Sequence, residues 1–364
     1  MSASKFSRIA VVVILIALIM QMGNAQAVQA ANNGVTVTKN ATAAQQKSAL
    51  AFWTHDALAK AQPVAMPVSL VAESPEVTDE VAVGAPGFTS AGSAAANADS
   101  IAQKAYPADW AQSDAFALAD DMALGTPGIF TSYYANYTAA FQTIYPNKWV
   151  GRFSSNAGYC SGTAISNNHV VTAAHCVYDT TNNIWYSNIV FTPGYRNGSA
   201  PYGSFANTSC TILTAWQNLT GSFSINGWTK YDVAVCGVGL NGSGQTLNNA
   251  VGWAGRAWNY GYDKNYFNMG YPWQNMSLTA LPNAGKYLRL CTAESFQQTT
   301  DTLGMGCNFG PGISGGPWML NYAPGFVQGN VNSVNSGLYV GANNLYGIRF
   351  TDLNIVLVCN AQGC

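Results

Sequence analysis

Eight cysteines, Cys160, Cys176, Cys210, Cys236, Cys291, Cys307, Cys359 and Cys364, all fall beyond residue 159 of a 364-residue chain. An even set confined to one part limits that part to folds that bring thiols together in pairs, in an oxidising compartment, or around a metal ion. No Cys-x-x-Cys pair occurs and only His169 and His175 lie among them, so disulfides are expected and a metal is not. Connectivity stays open at this level, because eight cysteines allow about a hundred pairings.

The N-terminus supports an oxidising destination. Lys5 and Arg8 precede an uncharged apolar run from Ile9 to Met20, and small residues after it offer cleavage at Ala25-Gln26-Ala27 or Val28-Gln29-Ala30. The run is shorter than the roughly 20 residues a membrane span needs. Residues 1–30 are therefore expected to be a signal peptide, and the mature protein is expected to be secreted, extracellular and free of membrane once the signal is removed.

Charge divides the chain where the cysteines do. Between Ala31 and Pro127 four Lys stand against ten Asp and Glu, and the composition is rich in Ala, Ser and Val. From Gly128 onward nine Lys and Arg face six Asp and Glu. Residues 31–127 are expected to be an acidic pro-segment of low structure that covers residues 128–364 through opposite charge, with a passive linker as the plainer reading. A net charge of -1 for the whole chain gives no reason to expect nucleic acid as a partner.

The second part predicts an all-β fold. Runs such as "KWVGRF", "HVVTAA", "NIVFTP", "DVAVCGV" and "YGIRF" are rich in Val, Ile and aromatics and are punctuated by Gly, Asn, Ser and Pro. Their spacing suits a barrel or a sandwich. Helical periodicity is scarce, apart from a short segment around Asp352 to Val358.

Two stretches carry chemistry. In "CSGTAISNNHVVTAAHCVYD", Cys160 and Cys176 flank a strand-like run that ends at His175, so a bridge between them would fix the loop that holds the imidazole. In "PGISGGPW", Ser314 sits alone among glycines and prolines. Either stretch by itself would read as structural. Together they supply a base and a nucleophile.

"TAAHC" around His175, "YDVAVC" around Asp232 and "GISGGPW" around Ser314 resemble the chymotrypsin-like serine proteases, in the order His, Asp, Ser. "AVGWAGRAW" and "MGYPW" are similar to the secreted bacterial and fungal branch related to glutamyl endopeptidases. The resemblance implies two antiparallel six-stranded β-barrels with the active site between them. It implies a catalytic triad of His175, Asp232 and Ser314, and an oxyanion hole from the N–H groups of Gly312 and Ser314. Asp179, Asp263, Asp301 and Asp352 lack the apolar strand setting that "YDVAVC" gives Asp232. His169 is expected to be structural. The pairings expected are Cys160–Cys176, Cys291–Cys307, Cys210–Cys236 and Cys359–Cys364.

The sequence departs from the trypsin pattern in ways that bear on activation and selectivity. Ile313 stands where trypsin has the acid that receives the new N-terminus, and Asn308 stands where trypsin has its pocket acid. The stretch "GNVNSVNS" lacks the pocket histidine of glutamyl endopeptidases. Asn308, Phe309, Val331, Asn332 and Ser333 are thus expected to line a pocket for an uncharged side chain. No Lys or Arg lies between Lys104 and Lys148, so activation is expected at an uncharged or acidic residue between Asp121 and Tyr145. The protein is expected to be a monomeric secreted endopeptidase without cofactor, acting on protein or peptide substrates, with its own pro-segment as a partner. An esterase using the same triad and an inactive homologue serving as a binding module are the alternatives. Seven Asn-x-Ser/Thr sequons would permit glycans.

Overall fold

The computed structural model describes residues 35–76, 83–93, 127–133 and 139–364, and the expected signal peptide lies outside them. Four short strands come first: β1 (Thr36–Asn40), β2 (Val68–Ser69), β3 (Gly87–Phe88) and β4 (Thr131–Tyr133), with helices α1 (Ala43–Phe52) and α2 (His55–Lys60) following β1. The first barrel begins with β5 (Val150–Ser155), β6 (Gly158–Ile165) and β7 (His169–Thr172). A separate hairpin of β8 (Tyr178–Asp179) and β9 (Ile184–Trp185) precedes β10 (Val190–Pro193), β11 (Phe205–Leu213) and β12 (Ala234–Val238). The antiparallel order β10-β5-β6-β7-β12 is closed by β11, which pairs with both ends.

The second barrel repeats the design. After β13 (Gly255–Trp258) come β14 (Asn265–Gly270), β15 (Arg289–Thr299), β16 (Thr302–Gly306), β17 (Pro317–Leu320), β18 (Asn330–Tyr339) and β19 (Asn344–Ile348). The order β14-β15-β16-β19-β18-β17 closes where β17 pairs with β14, so each barrel has six strands and no open edge inside its ring. Helix α3 (Ile355–Gln362) follows, near the short helical segment expected around Asp352. β7 (His-Val-Val-Thr) and β12 (Ala-Val-Cys-Gly-Val) are rich in valine, and Val170, Val171 and Val235 are fully buried.

The four disulfides pair Cys160–Cys176, Cys210–Cys236, Cys291–Cys307 and Cys359–Cys364. The third joins β15 to the end of β16, and so steadies the chain just before the turn that holds Ser314.

The first part of the chain has more order than its composition suggests. Thr42 caps α1 in a box with Gln45, and Ala49, Trp53 and Leu58 are buried against the first barrel. Strand β1 runs along β11 from Leu213 to Ser209, beyond the residues where β10 pairs. The buried Arg152 guanidinium donates to the carbonyls of Leu58 (2.8 Å) and Ala61 (3.3 Å). Among the described residues no ion pair links this segment to the barrels. Asp56 pairs with Lys60 in its own helix, and the Glu73 carboxylate accepts from the N–H groups of Ile225 and Asn226 and the hydroxyl of Ser224. Among the described residues, Asp56 is thus satisfied by its own helix and Glu73 by N–H and hydroxyl donors, and strand pairing, carbonyls and apolar side chains join residues 35–76 to the barrels.

Candidate active site

Strand β7 ends at Thr172, and Ala173 leads into a tight 3-10 turn, Ala174–Cys176, that carries His175. The Cys160–Cys176 bridge ties this turn to β6. Asp232 sits between a second 3-10 turn, Thr229–Tyr231, and β12, and is completely buried. A carboxylate removed from water needs donors, and this one has three. One oxygen accepts the backbone N–H of His175 (2.9 Å); the other lies 2.7 Å from His175 Nδ1 and accepts the Ser336 hydroxyl (2.5 Å). Asp232 therefore fixes both the main chain and the ring of His175. Asp179, Asp263 and Asp352 are engaged elsewhere, with Asn182, Lys264 and the N–H of Gly84 respectively.

Ser336 was not legible as a site residue. In "NVNSVNSGLY" the serines and asparagines follow one another without contrast, and only the closure of the second barrel brings this hydroxyl to Asp232.

Ser314 lies on a turn pressed against the end of β7. Its carbonyl accepts the N–H of Ser161 (2.7 Å), and a Cβ on Gly315 would lie 2.8 Å from the Ala173 nitrogen. The turns bearing Ser314 and His175 are thus packed together. His175 Nε2 and Ser314 Oγ are both buried, and neither has a hydrogen-bond partner among the described residues. Chemically these are an acceptor and a donor, positioned by adjacent turns.

The N–H groups of Ile313, Gly315 and Gly316 donate to the carbonyls of Gly310, Asn335 and Ile313. Those of Gly312 and Ser314 donate to nothing among the described residues. Gly312 has φ of 100° and is held so close to Tyr271 that a Cβ would meet its carbonyl oxygen at 2.5 Å. Only glycine permits this backbone and this approach together. These two N–H groups are two residues apart on the turn that carries the Ser314 hydroxyl.

Two buried asparagines hold the turn where trypsin would use an ion pair. Asn335 Nδ2 donates to the carbonyls of Ile313 (3.2 Å) and Gly316 (3.1 Å) and to Asn268 Oδ1 (2.9 Å). Asn268 and Trp318 donate in return to Asn335 Oδ1, each at 2.7 Å. With these bonds Ile313 is left wholly apolar and buried in the second core.

Gly315 offers a direct test of how tightly the two turns fit. Its φ is 73°, and a Cβ would lie 2.0 Å from Thr172 Oγ1 and 2.5 Å from the Ser161 carbonyl oxygen. Gly315→Ala is expected to move Ser314 relative to His175 and to lower kcat/KM about 100-fold, since a 1 Å displacement has an effect of that order. Steady-state kinetics on the folded variant would check this, and unchanged kinetics would show that the turn has slack.

The expected pocket residues come from two stretches, the chain after β16 and strand β18. Phe309 is buried in the second core, and Asn308 accepts the Ser132 hydroxyl at 2.7 Å. Val331 pairs with Met319 and Arg256, Ser333 faces Trp318, and the Asn332 amide accepts from Tyr266 and donates to the Ala257 carbonyl. Ser336 itself sits in a bulge of β18 against β19, between Asn335 and Gly337, and counting along the sequence cannot anticipate that shift. Beyond the bulge, Leu338 is buried in the cluster that contains Ile313. His169 lies at the start of β7 within hydrogen-bond distance of Ser166 and the Gln362 carbonyl, and burial holds its pKa below the ordinary imidazole value. The sulfurs of Cys160 and Cys176 cluster with a His175 nitrogen within 4.8 Å, but they are bonded to each other and so are unavailable to a metal.

With this geometry in hand, the likenesses to known proteins have a clear meaning. The Trypsin family model matches residues 140–351. Glutamyl endopeptidase of Bacillus licheniformis is 28% identical over 208 residues, 56% of this chain and 58% of that protein. An extracellular metalloprotease of Bacillus subtilis is 35% identical over 130 residues, 34% of each chain. The chain thus spans little more than half the length of the first curated relative and about a third of the second. Among solved structures, the protease Anisep from Arthrobacter nicotinovorans has 28% identity and a TM-score of 0.48, covering 59% of this chain and 94% of its own. No helix among the described residues is long and apolar enough to cross a membrane.

Proposed function

We infer, from the premise that this chain belongs to the trypsin family, that it is a secreted serine endopeptidase made as a proenzyme. The observation that carries this reading is the buried relay from Asp232 to His175 Nδ1, with an unpartnered Nε2 on the far side of the ring and an unpartnered Ser314 Oγ on the adjoining turn. Ser314 attacks a peptide carbonyl as His175 Nε2 takes its proton. The carbonyl oxygen, now negative, accepts from the N–H groups of Gly312 and Ser314, each donor contributing about 3 kcal/mol to the transition state. His175 then gives the proton to the leaving amine, and water repeats the sequence on the acyl-enzyme. Asp232 selects the ring tautomer with hydrogen on Nδ1 and stabilises the imidazolium. Ser336 completes the donor set of that carboxylate.

Selectivity for an uncharged side chain follows from Asn308, Phe309 and the wall at Gly337 and Leu338, none of which carries charge. The name of the Bacillus licheniformis relative speaks of glutamyl bonds, but no histidine occurs between Gly329 and Ser336 here.

The direct test is incubation of the secreted protein with a denatured protein mixture, followed by mass-spectrometric mapping of the cuts and N-terminal sequencing of the enzyme. Internal cleavage and an enzyme that begins between Asp121 and Tyr145 are expected. Hydrolysis of esters without peptide cleavage would defeat the endopeptidase reading. Full activity with residues 31–127 still attached would defeat the proenzyme reading.

A further inference from the structure

The uncharged run from Ala61 to Ala72, AQPVAMPVSLVA, touches both barrels within eight residues. At its start, Tyr159 N–H donates to the Gln62 carbonyl (2.9 Å) and Val64 N–H donates to the Tyr159 carbonyl (2.8 Å). Tyr159 belongs to β6 of the first barrel, next to Cys160, and its hydroxyl is 2.8 Å from where a Cβ on Gly312 would be. At its end, Leu338 N–H donates to the Pro67 carbonyl and Val340 N–H to the Ser69 carbonyl, and β2 pairs in parallel with β18 of the second barrel, Val68 opposite Leu338. Leu338 follows Ser336, the residue bonded to Asp232, by two positions. The two anchors therefore bracket the turn of Gly312 and Ser314.

Only Ala65 and Met66 lie between these anchors. Ala65 is exposed, whereas Met66 is buried in the apolar cluster that contains Phe309, Ile313, Leu338 and Leu345. The sequence prepares the segment for this path. Pro63 and Pro67 restrict Gln62 and Met66 to extended backbone, and no charged residue occurs from Ala61 to Ala72.

We propose that the groove from Tyr159 to Leu338–Val340 is the peptide-binding cleft, that residues 62–69 of this chain occupy it before activation, and that the recess holding Met66 takes a long apolar side chain of the substrate without a branch at Cβ. The proposal rests on the serine protease reading above and names its substrate class and its internal blocker. Main-chain pairing supplies binding that is indifferent to sequence, and the recess supplies the selection. Because the contact is made by backbone hydrogen bonds and apolar burial, salt has little leverage on it.

The test uses the full secreted chain and a serine-directed phosphonate, with the rate of Ser314 labelling as readout. Wild type is expected to label slowly and Met66→Asp at least tenfold faster, because a charge cannot remain in the apolar recess. Met66→Leu is expected to stay slow, and 0.5 M salt, on the order of several times physiological ionic strength, is expected to leave the wild-type rate within twofold. Equal, fast labelling of wild type and Met66→Asp would overturn the blocker while leaving the protease reading intact. Failure of Ser314 to label in any form, including one from which the first part has been cleaved, would instead defeat the protease reading. A map of cuts in denatured proteins completes the test. Cleavage next to Met and Leu supports the recess assignment, and cleavage confined to Glu, Asp, Lys or Arg overturns it.

Discussion

Ser314→Ala is expected to lower kcat for peptide hydrolysis by about five to six orders of magnitude, the scale on which removal of a serine nucleophile acts in such triads. Nothing else in the site can replace the lost oxygen. The nearby Ser161 hydroxyl donates to the Gly312 carbonyl and accepts from the Tyr271 N–H, and the Ser336 hydroxyl is bound to Asp232. Folding should be unaffected. Ser314 Oγ is buried and makes no hydrogen bond among the described residues, so its deletion breaks no contact and removes an unsatisfied polar atom. The check is a comparison of turnover and thermal midpoint for the two proteins. A variant that unfolds at the wild-type temperature and still cleaves peptides within tenfold of the wild-type rate would remove Ser314 from the mechanism.

The elements that the sequence made legible are those whose chemistry is local. His175 beside a cysteine and Ser314 among glycines announce themselves because a fixed base and a strained turn need those neighbours in the chain. The strands were legible for the same reason, since Val and Ile runs between turn residues are a short-range signal. What was not legible depends on distant pairing. Ser336 meets Asp232 only when β18 closes its barrel. Asn268 and Asn335 look like two of many asparagines until their amides face each other beneath Ser314. The bulge at Asn335–Gly337, where Ser336 sits, was equally illegible, because it exists only in the pairing of β18 with β19. The strand pairing of β1 with β11 and the burial of Ala49, Trp53 and Leu58 were not legible in the first segment, because such contacts leave no mark in its charge balance.

Asp232→Asn is expected to lower kcat by about four orders of magnitude while leaving the fold and substrate binding nearly unchanged. The hydrogen bonds around Asp232 explain why so small a change acts so strongly. The oxygen facing the His175 N–H must remain an acceptor, which places the new amide nitrogen at the position 2.7 Å from His175 Nδ1 and 2.5 Å from Ser336 Oγ. Ser336 can adapt by turning its hydroxyl to accept. The imidazole cannot adapt without cost, because Nδ1 must now accept and its hydrogen moves to Nε2. The ring then presents a donor to Ser314 where a proton acceptor is needed, and the imidazolium formed later loses its counter-charge. Ser336→Ala removes one donor from Asp232 but leaves the tautomer alone, so its effect should be near tenfold, the scale of one charge-assisted hydrogen bond of about 1.5 kcal/mol. Measured kcat and KM for the two variants, with a spectrum of the His175 ring nitrogens to assign the tautomer, would decide the matter. Equal effects of the two substitutions, or an Asp232→Asn enzyme that keeps hydrogen on Nδ1, would mean that this carboxylate only holds the loop in place.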